Sequence, residues 1–332
     1  MIIHFKSSAT PELIHDFSLK HQGIFFQEND RPIVVTSSKL KVLPSDIENS
    51  VDEYFVMDSD IQLASKNYQN GKRSIDLKNA TIGGKSNNTM VIGGPCSIES
   101  WDQINIVADK LKVLGLKTLR AGCFKPRTSP YTFQGLGEEG LKMLVKIRES
   151  HGFNIITEVK DSTHVDLVIE YADIIQIGAK AMYDQSILRK CGATNKPVLL
   201  KRGFGSTLQE FVQAAEFILS GGNENVILCE RGIRTFESQT RFTLDLCGVV
   251  FLKEHTNLPV VVDPSHALGY RYGIGDLARA SVALGVDGLL IETHPNPETA
   301  KSDAAQQLNL QEFESMFNSL AAVATAVGKN IV

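Results

Sequence analysis

The sequence predicts an α/β protein, a (β/α)8 TIM barrel preceded by a small ferredoxin-like α+β domain. Three observations carry this expectation. From residue 90 onward, eight short apolar runs alternate with eight amphipathic stretches over about 240 residues, the size of a (β/α)8 barrel. Each of those runs ends at or beside a chemically capable side chain, as barrel strands do at their active face. Ahead of them, the first 60 or so residues follow the order βαββαβ. A doubly wound open sheet is the structural competitor, and eight consecutive units favour closure.

The division expected is 1–66 for the small domain, 67–88 for a linker that carries a hairpin, and 89–332 for the barrel. Residues 2–5 form an apolar strand, and Thr10-Pro11-Glu12 supplies an N-cap, a Pro at the first helical position and an acidic first turn. Residues 23–27 and 32–36 read as a hairpin around Glu28-Asn29-Asp30-Arg31. A second helix is expected after Pro44 or Ser45, and a last strand over 54–57. Residues 67–88 turn polar and Gly-rich, with a short hairpin at 75–82. The barrel strands and their helices are then expected at 90–93 with 101–114, 117–120 with 138–151, 154–158 with 163–171, and 174–177 with 184–191. The remaining pairs are 198–201 with 207–220, 226–229 with 239–255, 260–263 with 274–284, and 288–292 with 310–327.

Composition narrows the function. A hydrophobic content of 42% and a charged content of 22% are ordinary for a soluble globular chain. The net charge of -4 offers no global field for nucleic acid or an anionic membrane. The start, Met1-Ile2-Ile3-His4-Phe5, has neither the basic flank nor the apolar core of a signal peptide, and no apolar run approaches the ~20 residues that span a bilayer. Five scattered cysteines, Cys96, Cys123, Cys191, Cys229 and Cys247, never form Cys-x-x-Cys. They read as free thiols or a single metal ligand in a reducing cytoplasm.

Taken in turn, the strand ends bring Cys96, Arg120, Glu158, Gly178 with Lys180, Lys201-Arg202, Glu230-Arg231, Asp263 with His266, and Glu292. Any one of these could simply begin a loop; all of them together point to a reaction centre. They sort into two sets. Arg120, Lys125, Arg127, Lys180, Lys201, Arg202 and Arg231 are cations, and around one cavity they would repel one another unless a multiply anionic ligand sat between them. Cys96, His266, Glu292 and Asp303 are sulfur, nitrogen and oxygen donors suited to a divalent transition metal, and only barrel geometry would bring them together. Cys96 by itself would read as a buried structural thiol. Gly135-Leu136-Gly137-Glu138-Glu139-Gly140 matches G-x-G-x-x-G, but it follows a loop and sets two carboxylates where a pyrophosphate would lie, so dinucleotide binding is rejected. Lys201 beside Arg202 leaves a Schiff-base lysine as a chemical alternative.

Gly94-Pro95-Cys96-Ser97-Ile98-Glu99, Lys125-Pro126-Arg127-Thr128-Ser129-Pro130, Leu200-Lys201-Arg202-Gly203, Glu230-Arg231-Gly232-Ile233-Arg234-Thr235-Phe236-Glu237 and Asp263-Pro264-Ser265-His266 occur in that order on the expected strands. Together they resemble the 3-deoxy-D-arabino-heptulosonate 7-phosphate (DAHP) synthase family, and Ser129-Pro130-Tyr131-Thr132-Phe133-Gln134-Gly135 is similar to its type I beta branch. The resemblance covers about residues 88–310, and the N-terminal unit resembles the ferredoxin-like regulatory domain of some members.

That resemblance implies condensation of phosphoenolpyruvate with erythrose 4-phosphate and release of phosphate, the opening of the shikimate pathway. It implies Cys96, His266, Glu292 and Asp303 as ligands of a divalent transition metal, Mn2+ first, with Fe2+, Co2+, Zn2+ or Cd2+ as alternatives. Arg120, Lys125, Lys201 and Arg231 would grip phosphoenolpyruvate, Arg202 and Ser265 belong to the same substrate-binding motifs, and Arg127, Thr128 and Ser129 would hold the aldehyde's phosphate on a loop shaped by Pro126. Lys180 departs from the Arg expected after Gly178-Ala179, so it offers a point charge in place of a fork. The metal would polarise the aldehyde oxygen. Lys125 or a metal-held water would protonate the new alkoxide, Glu158 would orient the attacking water, and Asp263 would order His266 or the sugar hydroxyls. A homotetramer and inhibition by tyrosine or phenylalanine through residues 1–66 follow from the family alone, and a cytoplasmic location agrees with the cysteine usage.

Two rivals are weighed. The sister enzyme that uses arabinose 5-phosphate to make 3-deoxy-D-manno-octulosonate 8-phosphate would carry a Lys-Ala-Asn-Arg-Ser-Ser loop, and Lys125-Pro126-Arg127-Thr128-Ser129 argues against it. A non-catalytic aromatic amino-acid sensor would have no need of four intact metal-ligand positions. Cys123, two residues before Lys125, reads as a loop thiol that could pair with Cys96 on oxidation.

Overall fold

The structure is a computed structural model and describes residues 1–28, 30–125 and 129–332. Strands β1 (Ile2–Phe5), β2 (Ile24–Glu28), β3 (Arg31–Val35) and β4 (Val51–Phe55) form an antiparallel sheet in the order β2-β3-β1-β4. Helix α1 (Pro11–Lys20) begins as its sequence dictates, with the Thr10 side chain accepting from the Leu13 N–H and Pro11 in the first turn. Alternation along the strands gives the sheet two apolar faces. Ile3, Phe5 and Val34 pack with Ile14 and Phe17 of α1, whereas Ile2, Phe26, Ile33 and Val35 join the core of the barrel.

The expected second helix is absent. Between β3 and β4 the chain makes only a three-residue 3-10 turn, Glu48–Ser50. Leu40, Leu43 and Ile47 are spaced like a helical face and do pack on the α1 side. Only residues 46–50 separate Ser45 from β4, little more than one turn and too few for an α-helix. The unit is therefore one helix short of βαββαβ.

A hairpin, β5 (Ser74–Leu77) with β6 (Ala80–Gly83), precedes the barrel. Its Ile75 and Ile82 are buried with Met90, Ile156, Ile174, Leu199, Ile227, Val261 and Leu290, so they plug the barrel interior beneath its active end. The barrel strands are β7 (Asn88–Gly94), β8 (Thr118–Arg120), β9 (Asn154–Val159), β10 (Ile174–Ile177), β11 (Val198–Lys201), β12 (Val226–Glu230), β13 (Val260–Val262) and β14 (Gly288–Glu292). All pair in parallel, and β14 closes on β7 through the register Gly288↔Met90 to Glu292↔Gly94. A two-residue strand, β15 (Asn330–Ile331), also runs beside β7.

Around the barrel lie α2 (Trp101–Val113), α3 (Glu138–His151), α4 (Val165–Tyr171), α5 (Gln185–Gly192), α6 (Leu208–Leu219), α7 (Leu246–His255), α8 (Pro264–Leu268), α9 (Ile274–Ala283) and α10 (Leu310–Ala326). Helix α7 begins seven residues later than the expected 239, because Asp245 caps it by accepting from the Gly248 N–H at 2.7 Å. The residues before it are spent on a bridge between Ile233 and Thr243. No helix among the described residues is long and apolar enough to cross a membrane.

Glu216 on α6 fastens the N-terminal unit. Its Oε1 accepts from the backbone N–H groups of Gln62 and Ala64, each at 2.8 Å, and its Oε2 from Leu63 at 3.2 Å. Arg73 adds a bond to the Leu63 carbonyl and an ion pair with Glu224 at 3.0 Å. Replacing Glu216 by Gln turns one acceptor into a donor facing an N–H, which should weaken the junction by about 1–3 kcal/mol. Hydrogen exchange should accelerate at residues 62–64 in that variant while the barrel amides keep their protection.

Candidate active site

The floor of the site is made where the C-terminal ends of β7, β8 and β14 converge. Gly94 has φ of 146°, and a Cβ there would lie 1.9 Å from the Arg120 carbonyl oxygen, so only glycine lets these strands approach. Cys96 follows, fully buried, its N–H held by Gln307 Oε1 at 2.9 Å and its Sγ 3.2 Å from Asp303 Oδ2. Glu292 ends β14, and its N–H donates to Ser265 Oγ at 3.0 Å. Donor atoms of Cys96, Glu292 and Asp303 all lie within 4.8 Å of one another. His266 on α8 puts Nε2 3.5 Å from Glu292 Oε1 and Nδ1 2.7 Å from Asp263 Oδ2. Asp303 reaches this cluster from a left-handed backbone, φ 47° and ψ 41°, a conformation costly for a non-glycine residue.

Above the floor, a cleft of about 830 Å³, open mouth included, is lined by Lys125, Glu158, Lys180, Lys201, Arg231, Arg241, His266 and Asp303, with Ala179, Phe204 and Phe242. Lys201 Nζ donates to Asp263 Oδ2 at 2.6 Å. Lys125 Nζ lies 3.0 Å from the Cys96 carbonyl oxygen and 3.1 Å from its Sγ. Arg231 is different. Its Nε and Nη1 are buried without a hydrogen-bond partner, and the guanidinium carbon sits 4.6 Å over the Phe242 ring. A buried cation with idle donors is costly unless an anion completes it.

The charges tune one another. Burial pushes the Cys96 thiol up to about 12, and Glu292 adds to that. Burial also disfavours the Asp303 carboxylate, but His266, Arg241 and Lys125 outweigh it and hold the group at about 2. For Glu292 burial is again overcome, here by His266 and Arg120, and its carboxyl lies below the usual range. Asp263 is driven well below that range against its burial, by His266 and Lys201.

Not every expected site residue lines the cleft. Arg120 is committed beneath it, donating from Nη1 to the Pro95 carbonyl at 2.8 Å and to Glu292 Oε1 at 2.7 Å. Ser265 is buried under β14 and spends its hydroxyl on the Glu292 N–H. Arg202 is turned behind the wall: it bonds Glu230 at 2.9 Å, Asp245 at 2.8 Å and the Ser206 carbonyl at 3.2 Å. The strand pleat explains this, since Lys201 and Arg202 are consecutive and face opposite sides. Ser129 is half-buried and accepts from the Tyr131 N–H. Pro126, Arg127 and Thr128 lie outside the described residues. Cys123 packs in the core beside Gly140, and the cysteines are all free. Gly135 serves packing, since a Cβ would lie 2.0 Å from the Cys123 carbonyl oxygen.

The sequence reading missed Arg241, Phe242 and Gln306. The first two fell inside a stretch expected to be helical. Gln306 has no local signal, because its partners are Glu292 and Arg241.

A closed (β/α)8 barrel with a mixed donor cluster and an anion-seeking cleft at its strand C-termini has the form of a metal-dependent enzyme acting on small anionic compounds. The chain belongs to the DAHP synthetase I family, whose model matches residues 70–328. It is 44% identical over 270 residues to a Thermotoga maritima phospho-2-dehydro-3-deoxyheptonate aldolase, covering 81% of this chain and 79% of that protein. A crystal structure of the Thermotoga maritima DAHP synthase superposes with a TM-score of 0.81 at 37% identity, over 100% of this chain and 99% of that one. A Bordetella petrii 2-dehydro-3-deoxyphosphooctonate aldolase is more distant, at 32% identity over 72% of this chain and 92% of that protein. The family is metal-dependent.

Asp263→Asn tests the buried pairing. It leaves the Lys201 ammonium without its partner, and a melting experiment should show a loss of about 3–5 kcal/mol of stability. A loss below 1 kcal/mol would mean that the pair does not support the floor.

Proposed function

We propose that this chain condenses phosphoenolpyruvate with D-erythrose 4-phosphate to give DAHP and inorganic phosphate, the first step of the shikimate pathway. The observation that carries the reading is Arg231, buried with two idle donors in a cleft that it lines together with Lys201, Lys180 and Asp303 of the Cys96, Glu292 and Asp303 cluster. Family membership and 44% identity to the heptonate aldolase, against 32% to the octonate aldolase, favour the four-carbon aldehyde over arabinose 5-phosphate.

Cys96, Glu292 and Asp303, whose donor atoms lie together, and His266, whose Nε2 is 3.5 Å from Glu292 Oε1, fit a divalent transition metal such as Mn2+, being a soft sulfur, an imidazole and two carboxylates. Asp263 Oδ2 lies 2.7 Å from Nδ1, a close charge contact without hydrogen-bond alignment, and leaves His266 Nε2 to face the cluster. When bound, the ion supplies a Lewis acid for the aldehyde oxygen.

The chain's own groups do the rest. Arg231, Lys201 and Lys180 neutralise the phosphate and carboxylate of phosphoenolpyruvate and hold its C3 toward the aldehyde, while Arg120, Arg202 and Ser265 brace the wall and floor from behind. Arg127, Thr128 and Ser129 take the aldehyde's phosphate. A bond forms between C3 of phosphoenolpyruvate and the aldehyde carbon, water adds at C2, and phosphate leaves by cleavage of its bond to C2. Lys125, at the floor of the cleft, is placed to protonate the new alkoxide. Glu158, at the end of β9 between the strands that carry Lys125 and Lys180 and held by Gln176, takes a proton from the water in this reading. We also propose a cytoplasmic homotetramer in which the N-terminal unit binds tyrosine or phenylalanine as an inhibitor.

The test follows loss of phosphoenolpyruvate absorbance with either aldehyde, before and after chelation and Mn2+ re-addition. Turnover with erythrose 4-phosphate should be abolished by chelator and restored by metal; turnover that survives verified metal removal would discard the metal reading. Arg231→Lys keeps the charge but loses the fork, and should raise KM for phosphoenolpyruvate by about tenfold or more. Removal of residues 1–66 should abolish inhibition by aromatic amino acids; unchanged inhibition would sink the regulatory role.

A further inference from the structure

Gln306 lies one turn beyond Asp303, is 1% exposed, and reaches between two groups of opposite charge. Its Nε2 donates to Glu292 Oε2 at 2.5 Å, and its Oε1 accepts from Arg241 Nη1 at 2.7 Å. The amide can face only one way. Reversed, its oxygen would meet a carboxylate and its NH2 a guanidinium, repulsive at both ends. Glu292 Oε1 is already engaged by Arg120, so Gln306 is the second of two contacts that together fix the plane of the carboxylate. Arg241 in turn lines the cleft, with its side chain 42% exposed and 3.6 Å from Asp303 Oδ1.

We propose that Gln306 is a positioning residue for the Glu292 carboxylate, anchored by Arg241, so that a cation at the anion-binding cleft and a ligand of the metal cluster are mechanically joined. This inference rests on the metal reading given above. A carboxylate with one free oxygen can rotate away from an incoming ion, and one clamped at both oxygens presents its lone pairs in a set direction. The same short segment supports the rest of the cluster. Gln307 holds the Cys96 N–H, and Ser302 meets Ser97 hydroxyl to hydroxyl at 2.8 Å. Gln306 and Arg241 thus lie outside the ligand set and act through it.

The experiment measures Mn2+ affinity by calorimetry on metal-stripped full-length protein, with Co2+ absorption spectra as a report of coordination geometry. Gln306→Met keeps the volume and loses both hydrogen bonds. It should bind Mn2+ about 10–100-fold more weakly and shift the Co2+ ligand-field bands, with its circular dichroism matching the parent. An affinity within twofold of the parent and an unshifted spectrum would overturn the assignment. Glu292→Gln is the control for the underlying reading: it should lose tight metal binding, and if it does not, the metal site itself is misassigned. Arg241→Met tests the anchor. Because Arg241 also pairs with Asp303, the readout is coupling: the double variant should lose less than the sum of the two single losses, whereas strictly additive losses would remove Arg241 from the arrangement.

Discussion

Arg120 Nη1 meets Glu292 Oε1 at 2.7 Å in a place where neither group touches water, and the site above depends on that buried pair. Taking such charges out of water costs several kcal/mol each, and further hydrogen bonds to both partners offset part of that cost. Here the Pro95 carbonyl takes a second Arg120 proton, Gln306 donates to the Glu292 carboxylate, and Ser265 Oγ accepts from the Glu292 backbone N–H. Lys201, Asp263 and His266 repeat the arrangement one strand over. With the floor neutralised pair by pair, the cleft above it can hold Arg231 with two donors idle.

The barrel makes this affordable because its lower half is dry. Ile75 and Ile82 of the hairpin fill the end opposite the active face, so the strands are braced by apolar packing where they carry no chemistry. The N-terminal sheet is packed on both faces, by α1 on one side and by the barrel on the other. Glu216 meets three consecutive backbone N–H groups at that junction, and burial pushes its carboxyl up to about 7 despite them. The same residue that fastens the two units is therefore a carboxylate held at a cost.

Local chemistry was legible where a rule acts within a few residues. The Thr10-Pro11 start of α1, the eight strand positions and the capable residue closing each strand are short-range signals, and they locate Cys96, Glu158, Lys201, Arg231 and Glu292 correctly in the barrel. The same kind of reasoning failed after Pro44, where β4 begins at Val51 and not at the expected 54, leaving room only for the 3-10 turn Glu48–Ser50. It also failed at 239–245, where a cap at Asp245 and a bridge outside the helix leave Arg241 facing the cleft.

What the sequence by itself determined is the order of alternating elements and the chemical kind of the residues at their ends, because both follow from periodicity and from motif. Which of those residues meet was decided by the tertiary structure. Closure of β14 on β7 brings Cys96 to Glu292 across 196 positions, and the left-handed turn at Asp303 adds the third donor. The pleat then divides neighbours, sending Lys201 to the cleft and Arg202 to Glu230 and Asp245 behind it. Side chains with no local signature, Gln306 above all, acquire a role only through partners that barrel closure places within hydrogen-bonding distance.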